Sequence, residues 1–395
     1  MLVGIVGKPS AGKSTFFKAL TLQDVAIAAY PFTTIKPNEG ASFVRVQCID
    51  KEFNTQCNPR EGFCKNGTRF VPVKLLDVAG LVPGAHEGKG LGLQFLDDLR
   101  QADALIHVVD MSGTTNEKGE ATTGYDPSFD VRFLETEIDM WMLGILKKGW
   151  ERAARQCQQE KKHPSIALGK QLSGLNITEK MVEEEMRKLD LSAEMPTSWS
   201  DDQLLHLTRA LRQRTKPIII AGNKMDLPDA KLNYERLKSQ FPEYLIVPCS
   251  AETELALKEA TKKDLIDYTP GEKDFTEKGG LNDAQKDALD YMRQNVLTKY
   301  GSTGVQDVID TAVFKLLNYI AIFPGGVGKL GDQFGNILPD CFVLPGNITA
   351  LGFAAKIHTD LAAHFVAAID VRSKRRIGKD TPLKHRDVVE ILTSK

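Results

Sequence analysis

From Met1 to about Val109, short apolar runs alternate with helix-period stretches. The run Met1-Leu2-Val3-Gly4-Ile5-Val6 enters a glycine-punctuated loop, and a helix is predicted from Lys13 to Leu20. Val71 to Leu76 and Ala104 to Val109 read as buried strands, with a helix from Gly88 to Arg100 between them. This alternation predicts a parallel α/β sheet. The next strand-like run does not begin until Pro217, although a crossover between parallel strands needs only about a dozen residues. An insertion is therefore expected. Within it Leu134, Ile138, Trp141 and Ile145 recur on a helical period, while Glu135, Asp139, Lys147 and Lys148 lie off the stripe. Further helices are predicted from Thr178 to Leu189 and from Asp201 to Arg214, where Leu204, Leu207 and Leu211 share a face and Ser200 or Asp201 supplies the cap. Residues 126–215 thus read as a helical hairpin or small bundle projecting from the α/β domain, its Trp and Leu stripe packed internally.

Pro217 to Ala221 and Tyr244 to Val247 read as further strands. After Ala251 the chain turns helical and polar, passes a loop-like stretch at Tyr268 to Asn282, and continues as two helices from Asp283 to Asn318. The texture changes at Tyr319. Tyr319 to Phe323, Cys341 to Leu344 and Val388 to Leu392 read as strands and Leu351 to Ala367 as a helix, which makes a small α+β module. The expected organisation is an α/β domain from 1–125 and 216–318, a helical insertion at 126–215, and a C-terminal module at 319–395.

Composition narrows the function classes. A chain of 395 residues that is 42% hydrophobic can build more than one core. Its net charge of −1 excludes a global attraction to nucleic acid, so any such contact must be local. No apolar run approaches the roughly 18 residues of a membrane helix. The first strand runs straight into the loop and leaves no room for a cleavable signal, so a cytoplasmic protein is expected. Cys48, Cys57 and Cys64 are spaced nine and seven residues apart, without the close pair that marks most zinc sites. They read as reduced thiols in a surface excursion.

The chemistry lies at the strand ends. Gly7-Lys8-Pro9-Ser10-Ala11-Gly12-Lys13-Ser14 fits G-x4-G-K-[ST] after a strand and before a helix. Backbone N–H groups of this loop, continuing to Thr15, and the positive end of the helix suit phosphate. Lys13 would reach the β and γ phosphates, and the Ser14 hydroxyl would ligate Mg²⁺. Asp77 closes its strand at the edge where α/β ligands bind; it suits a direct or water-mediated Mg²⁺ carboxylate, and Gly80 would bring its N–H to the γ phosphate. In Asn223-Lys224-Met225-Asp226 the carboxylate of Asp226 can accept both N1–H and N2–H₂ of guanine, a donor pair adenine lacks. The predicted ligand is therefore GTP or GDP. Asn223 would buttress the loop, Lys224 would pack along the base, and Ser250-Ala251 would offer a backbone N–H to the guanine O6. Between these motifs, Thr34 or Thr33, with Thr34 preferred, would complete the Mg²⁺ shell in a loop that orders with GTP.

These residues, with Tyr30 to Thr34 and the stretch Asp77 to Gly92, resemble the Obg-related GTPases of the YchF-type (Obg-like ATPase) group. The resemblance implies a Ras-like P-loop domain, a coiled-coil-like helical insertion, and a C-terminal TGS domain of ubiquitin-like β-grasp form; Gly335 to Asp340 and Phe353 to His358 are similar to that domain. Many members carry a degenerate base-reading motif and prefer ATP, whereas the intact Asn223 to Asp226 is similar to the archaeal and fungal side of the group. Ser10 stands where the family usually has Asn, a residue that can help hold a monovalent cation in related GTPases.

In Ras-like enzymes a Gln after Asp-x-x-Gly orients the attacking water. Here that position is Leu81, so backbone, a partner or a side chain such as His86 must do so, and slow hydrolysis in a switch or timer is expected. His107, inside a strand, reads as structural. Arg372, Lys374, Arg375, Arg376 and Lys379 form the densest basic run, with Lys384 and Arg386 nearby. Residues 319–395 hold ten Lys or Arg against seven Asp or Glu, a net of +3. A salt-dependent RNA or ribosome contact is expected there. Two other readings are an ATP-preferring hydrolase and a scaffold whose nucleotide only stabilises the fold.

Overall fold

The computed structural model describes residues 1–22, 38–78 and 98–394. Thr33, Thr34, Gly80, Leu81, His86 and most of the helix predicted from Gly88 lie outside the described residues. The chain forms two compact units. The first holds Met1–Ala19, Asn38–Gly40 and Leu75–Val308, and the second the remaining segments, chiefly Ala41–Lys74 and Ile309–Lys395.

The strands of the N-terminal two thirds are β1 (Leu2–Val6), β2 (Glu39–Gln47), β3 (Phe63–Lys65), β4 (Thr68–Asp77), β5 (Ala104–Asp110), β6 (Ile218–Asn223) and β7 (Leu245–Pro248). In the first unit the end of β4 is followed by β1, β5, β6 and β7 in that spatial order. β1, β5, β6 and β7 run parallel, with Val3 opposite Ala104, Leu105 opposite Ile218 and Ile219 opposite Leu245. Every residue of β5 and β6 is buried, as expected of parallel strands covered on both faces. That burial is why they read as continuous apolar runs. The parallel order carries Gly7, Asp77, Asp110 and Asn223 to the carboxyl edge of the sheet.

The insertion contains helices Ser128–Lys147, Trp150–Glu160, Pro164–Gln171, Glu179–Lys188 and Asp201–Thr215. The second and third are absent from the sequence reading. Trp150–Glu160 buries only Trp150, Ala154 and Cys157, too sparse an apolar face to register, and Pro164–Gln171 is short. Ser200, rather than Asp201, caps the last helix, in a reciprocal box with Gln203. Leu134, Ile138, Trp141, Leu204, Leu207 and Leu211 share one buried cluster with Val6, Leu76, Leu105 and Ile218. Trp150 stacks on Trp199 in the same cluster at 5.0 Å. The stripe of the first and last inserted helices is therefore continuous with the core of the sheet. Arg212, a buried cation of this face, donates to Asp139 at 3.0 Å and to Glu135 at 3.2 Å, which offsets the cost of its desolvation.

Between Ser250 and the second unit, helix Ala251–Lys262 is followed by a short ribbon of β8 (Ile266–Asp267) and β9 (Thr276–Glu277), in a region that reads as loop. In the second unit β3 pairs antiparallel with β4, and Phe63 stacks on Phe70 at 4.4 Å. The C-terminal sheet comprises β10 (Tyr319–Pro324), β11 (Phe342–Pro345), β12 (Phe365–Asp370), β13 (Arg375–Ile377) and β14 (Asp387–Thr393), in the spatial order β11-β10-β14-β12-β13. β10 and β14 are parallel at its centre, and Ala350 and Phe353 of helix Ala350–Ile357 share a buried cluster with Ile322, Ala368 and Val389. This is the β-grasp arrangement.

The structure corrects the helix expected from Leu351 to Ala367, which stops at Ile357. His358 is extended, at φ −161° and ψ 143°, and its ring accepts from the Asp360 N–H to start the short helix Thr359–Ala363. Phe365 then enters β12, opposite Thr393 of β14. An alanine-rich stretch favours helix locally, but pairing with β14 and burial of Ala368 override it. The surface excursion is corrected too: Cys48 and Cys57 are buried and Cys64 is half-buried.

Candidate nucleotide-binding site

β1 delivers Gly7 to the phosphate loop, and helix Lys13–Thr21 leaves from its far end. Both glycines are required by close approach. A Cβ on Gly7 would lie 2.6 Å from the Val108 carbonyl oxygen; one on Gly12, at φ +91°, would lie 2.3 Å from Asn223 Nδ2. Lys13 Nζ sits 2.7 Å from Asp77 Oδ1, so the phosphate-loop cation and the strand-end carboxylate expected to share a metal and phosphate are already together. Ser14 is exposed at the head of the helix and Thr15 half-buried beside it. The oxygens of Ser14 and Asp77 form the hard donor set that suits Mg²⁺.

The base-reading tetrapeptide is tied to this loop by Asn223. Its Nδ2 donates to the Ala11 carbonyl at 3.0 Å, and its Oδ1 accepts from the Ala251 N–H at 3.0 Å. Asn223 is thus a strut spanning phosphate and base subsites. Asp226 accepts from the Ser250 hydroxyl at 2.6 Å through Oδ1. Ser250 N–H donates to the Thr303 carbonyl, so the backbone donors of Ser250 and Ala251, read as partners for guanine O6, are both engaged within the protein. Gly304 packs under this loop at φ +77°, where a Cβ would meet the Pro248 carbonyl at 1.9 Å. Glu254, fully buried, accepts from Thr303 Oγ1 at 2.6 Å and Tyr268 Oη at 2.7 Å. Nothing in the spacing of Glu254, Tyr268 and Thr303 announces this support.

Sequence reasoning also missed two further groups, Asp110 and Lys8. Lys224, at φ +65°, places Nζ 2.8 Å from Asp110 Oδ2. Burial alone would raise the Asp110 carboxyl, but hydrogen bonds from Lys224, Ser112 and Thr115 outweigh it and hold the group below the usual carboxylate range. Its position at the end of a buried strand was the available signal. Lys8, inside the phosphate loop, points away from the phosphate cradle. Its ammonium lies 2.9 Å from Asp130, 2.7 Å from the Thr115 carbonyl and 3.9 Å from the centre of the Tyr125 ring. It anchors the loop to the first inserted helix, and an x position in a motif carries no hint of that.

His107 is buried in β5 and bears out its structural reading. Burial first, then the charge of Lys8, lowers its pKa from 6.5 to about 3. Because the folded value lies below the unfolded one, the associated stability is fully present above pH 6.5 and is lost as pH falls toward 3. Each pH unit in that window is worth about 1.4 kcal/mol. His107→Gln is expected to lose about 2 kcal/mol less than the wild type between pH 7 and pH 5, measured by urea unfolding at each pH. Equal losses would show that His107 titrates normally.

A strand feeding a glycine-rich loop into a helix, with an acid at the next strand end, defines a P-loop nucleotide-binding protein. The 50S ribosome-binding GTPase model matches residues 2–129, the Obg-like GTPase YGR210-like G4 motif-containing domain matches 221–326, and the TGS domain matches 333–393. An uncharacterized GTP-binding protein of Methanocaldococcus jannaschii is 48% identical over 100% of this chain and 99% of its own length. The ribosome-binding ATPase YchF of Mycoplasma pneumoniae is 29% identical over 92% of this chain and 87% of its own. The crystal structure of a GTP-binding protein from Pyrococcus horikoshii superimposes with a TM-score of 0.81 at 38% identity, covering all of both chains. The chain belongs to the Obg-like GTPases of the YchF type, a group of P-loop nucleoside triphosphate hydrolases.

Proposed function

We propose that this protein binds GTP with Mg²⁺ and hydrolyses it slowly to GDP and phosphate, as a cytoplasmic switch acting on ribosomes or other RNA. The observation that carries the nucleotide choice is Asp226, held by Ser250 through one carboxylate oxygen on a loop that Asn223 braces to the phosphate loop. In this reading the backbone of Gly7, Pro9, Ser10, Ala11 and Gly12, with Ser14 and Thr15 at the helix start, receives the phosphates. Lys13 turns from Asp77 to the β and γ oxygens, and Lys224 lies along the base. Ser14, Asp77 and Thr34 hold Mg²⁺, which when bound offsets the charge of the β and γ phosphates. Gly80 and His86 act at the γ phosphate and the attacking water. Ser250 and Ala251 contribute to the base subsite through the Ser250 hydroxyl on Asp226 and the Ala251 N–H on Asn223. Phosphate release with GTP and with ATP, with and without ribosomes, tests the proposal against a Lys13→Ala control. Release no greater than the control would sink the hydrolase reading, and a preference for ATP would overturn the role given to Asp226.

The ribosome or RNA reading draws on the relatives named above and on the C-terminal basic run. Arg372 and Arg386 both pair with Glu52, which removes them from the available charge. Lys374, Arg375, Arg376 and Lys379 are exposed around β13. Neutralising Arg375 and Arg376 is expected to weaken RNA binding and to reduce the salt slope by roughly 0.7–0.9 per charge. An unchanged slope would remove β13 from the interface. The cytoplasmic address is consistent with the described helices, none of which is long and apolar enough to cross a membrane.

A further inference from the structure

Between the phosphate loop and Asp77 in sequence, the second unit gathers Cys48, Asp50, Cys57 and Cys64, whose Sγ atoms and carboxylate oxygen all lie within 4.8 Å of one another. Cys48 directly follows β2, Cys57 lies in the loop beyond the turn Asp50–Phe53, and Cys64 lies within β3. Three separate backbone segments therefore converge. Cys48 Sγ and Cys57 Sγ are 3.6 Å apart. That is far beyond the about 2.0 Å of a disulfide but close to the about 3.8 Å between two sulfurs on a tetrahedral ion with 2.3 Å bonds.

The surrounding charges point the same way. Asp50 is buried, at 3% exposure, and its carboxylate has no ion-pair partner among the described residues, only the Lys51 N–H on Oδ1. Arg69 is likewise buried, at 1% exposure; its guanidinium donates to the Leu338 and Pro339 carbonyls, and its Nε has no hydrogen-bond partner. Two opposite charges thus lie buried and not paired with each other, although an isolated buried charge is strongly unfavourable. A divalent cation bound by Asp50 and the thiolates would neutralise the carboxylate. The resulting anionic three-sulfur, one-oxygen site would in turn place negative charge near Arg69.

We propose that Cys48, Cys57, Cys64 and Asp50 form a structural metal site for a thiophilic divalent cation, Zn²⁺ by the softness of three sulfurs and the four-ligand closure. Zn²⁺ displaces the three thiol protons on binding and no oxidation is involved. Phe43 and Phe70, with Phe63 packed against them, form a buried cluster in this excursion, and a metal clip would tie its three converging segments together. The same excursion meets the C-terminal module through Asn58 N–H on Ile337 at 2.8 Å and Arg60 N–H on Pro339 at 2.9 Å. The clip therefore fixes the loop that carries these contacts. The site is independent of the nucleotide reading.

The test is metal content and Co²⁺ titration of the full chain, kept reduced. One Zn²⁺ per chain is expected, replaceable by Co²⁺ with sulfur-to-cobalt charge-transfer bands and the intense visible absorption of four-coordination. Cys57→Ser should lose one metal equivalent, and Cys157→Ser, in the helical insertion, should keep it. Should Cys57→Ser fail to fold, Asp50→Asn serves instead: it leaves all three sulfurs in place and should shift the cobalt spectrum and lose affinity. A wild-type chain that takes up no more metal than Cys48→Ser/Cys57→Ser, or that carries a Cys48–Cys57 disulfide in place of metal, overturns the proposal. So does an Asp50→Asn spectrum identical to the wild type.

Discussion

Lys13→Ala is expected to lower GTP turnover by at least about 10³-fold, the lower end of the range for removing a charge stabiliser in phosphoryl transfer. The lysine ammonium is the one strong cation that the phosphate loop directs to the carboxyl edge of the sheet, because Lys8 of the same loop is committed to Asp130 and Thr115. Its removal leaves the developing negative charge on the γ phosphate without a positioned counter-charge. Stability should change little. Lys13 and Asp77 form a partly exposed pair, with side chains 13% and 26% accessible, and such pairs are worth at most about 1 kcal/mol. Multiple-turnover phosphate release alongside thermal unfolding separates the two effects. A large drop in melting temperature would mean that the lost activity reports unfolding, and undiminished turnover would remove Lys13 from the chemistry.

Asp226→Asn is expected to weaken GTP binding by about 10²- to 10⁴-fold, since two hydrogen bonds to a charged group contribute about 1.5–3 kcal/mol each. An amide presents one acceptor and one donor where guanine needs two acceptors. The Ser250 hydroxyl can still donate to the amide oxygen, so the loop should keep its shape and the loss should reside in recognition. Xanthosine triphosphate, whose 2-carbonyl accepts where guanine donates, should recover most of the affinity. Competition titrations with GTP, ATP and xanthosine triphosphate check this. Equal GTP affinity in variant and wild type would reduce Asp226 to a turn residue.

Both residues were legible in the sequence, for a definite reason. Phosphate cradling and base reading use short contiguous segments at strand ends, so the spacing within Gly7 to Ser14 and within Asn223 to Asp226 already states the geometry. The buried parallel strands were legible because burial on both faces demands continuous apolar runs. β2, β3, β12 and β13 were not. β3 (Phe63–Lys65) and β13 (Arg375–Ile377) are three residues each, too short to show a period, and in β12 the pairing with β14 overrides an alanine-rich local preference for helix.

The sequence by itself determined the nucleotide-binding class, the family and the order of elements, because local periodicity and contiguous motifs suffice for them. Only the tertiary structure decided which polar groups meet across long separations. Asn223 joins the phosphate loop to the base-reading loop, Lys8 ties the phosphate loop to the helical insertion through Asp130, and Thr303 and Glu254 hold the Ser250 turn from beneath. It also turned Cys48, Asp50, Cys57 and Cys64 from an unremarkable spacing into one cluster. These contacts are set by chain reversal and burial, which no single segment encodes.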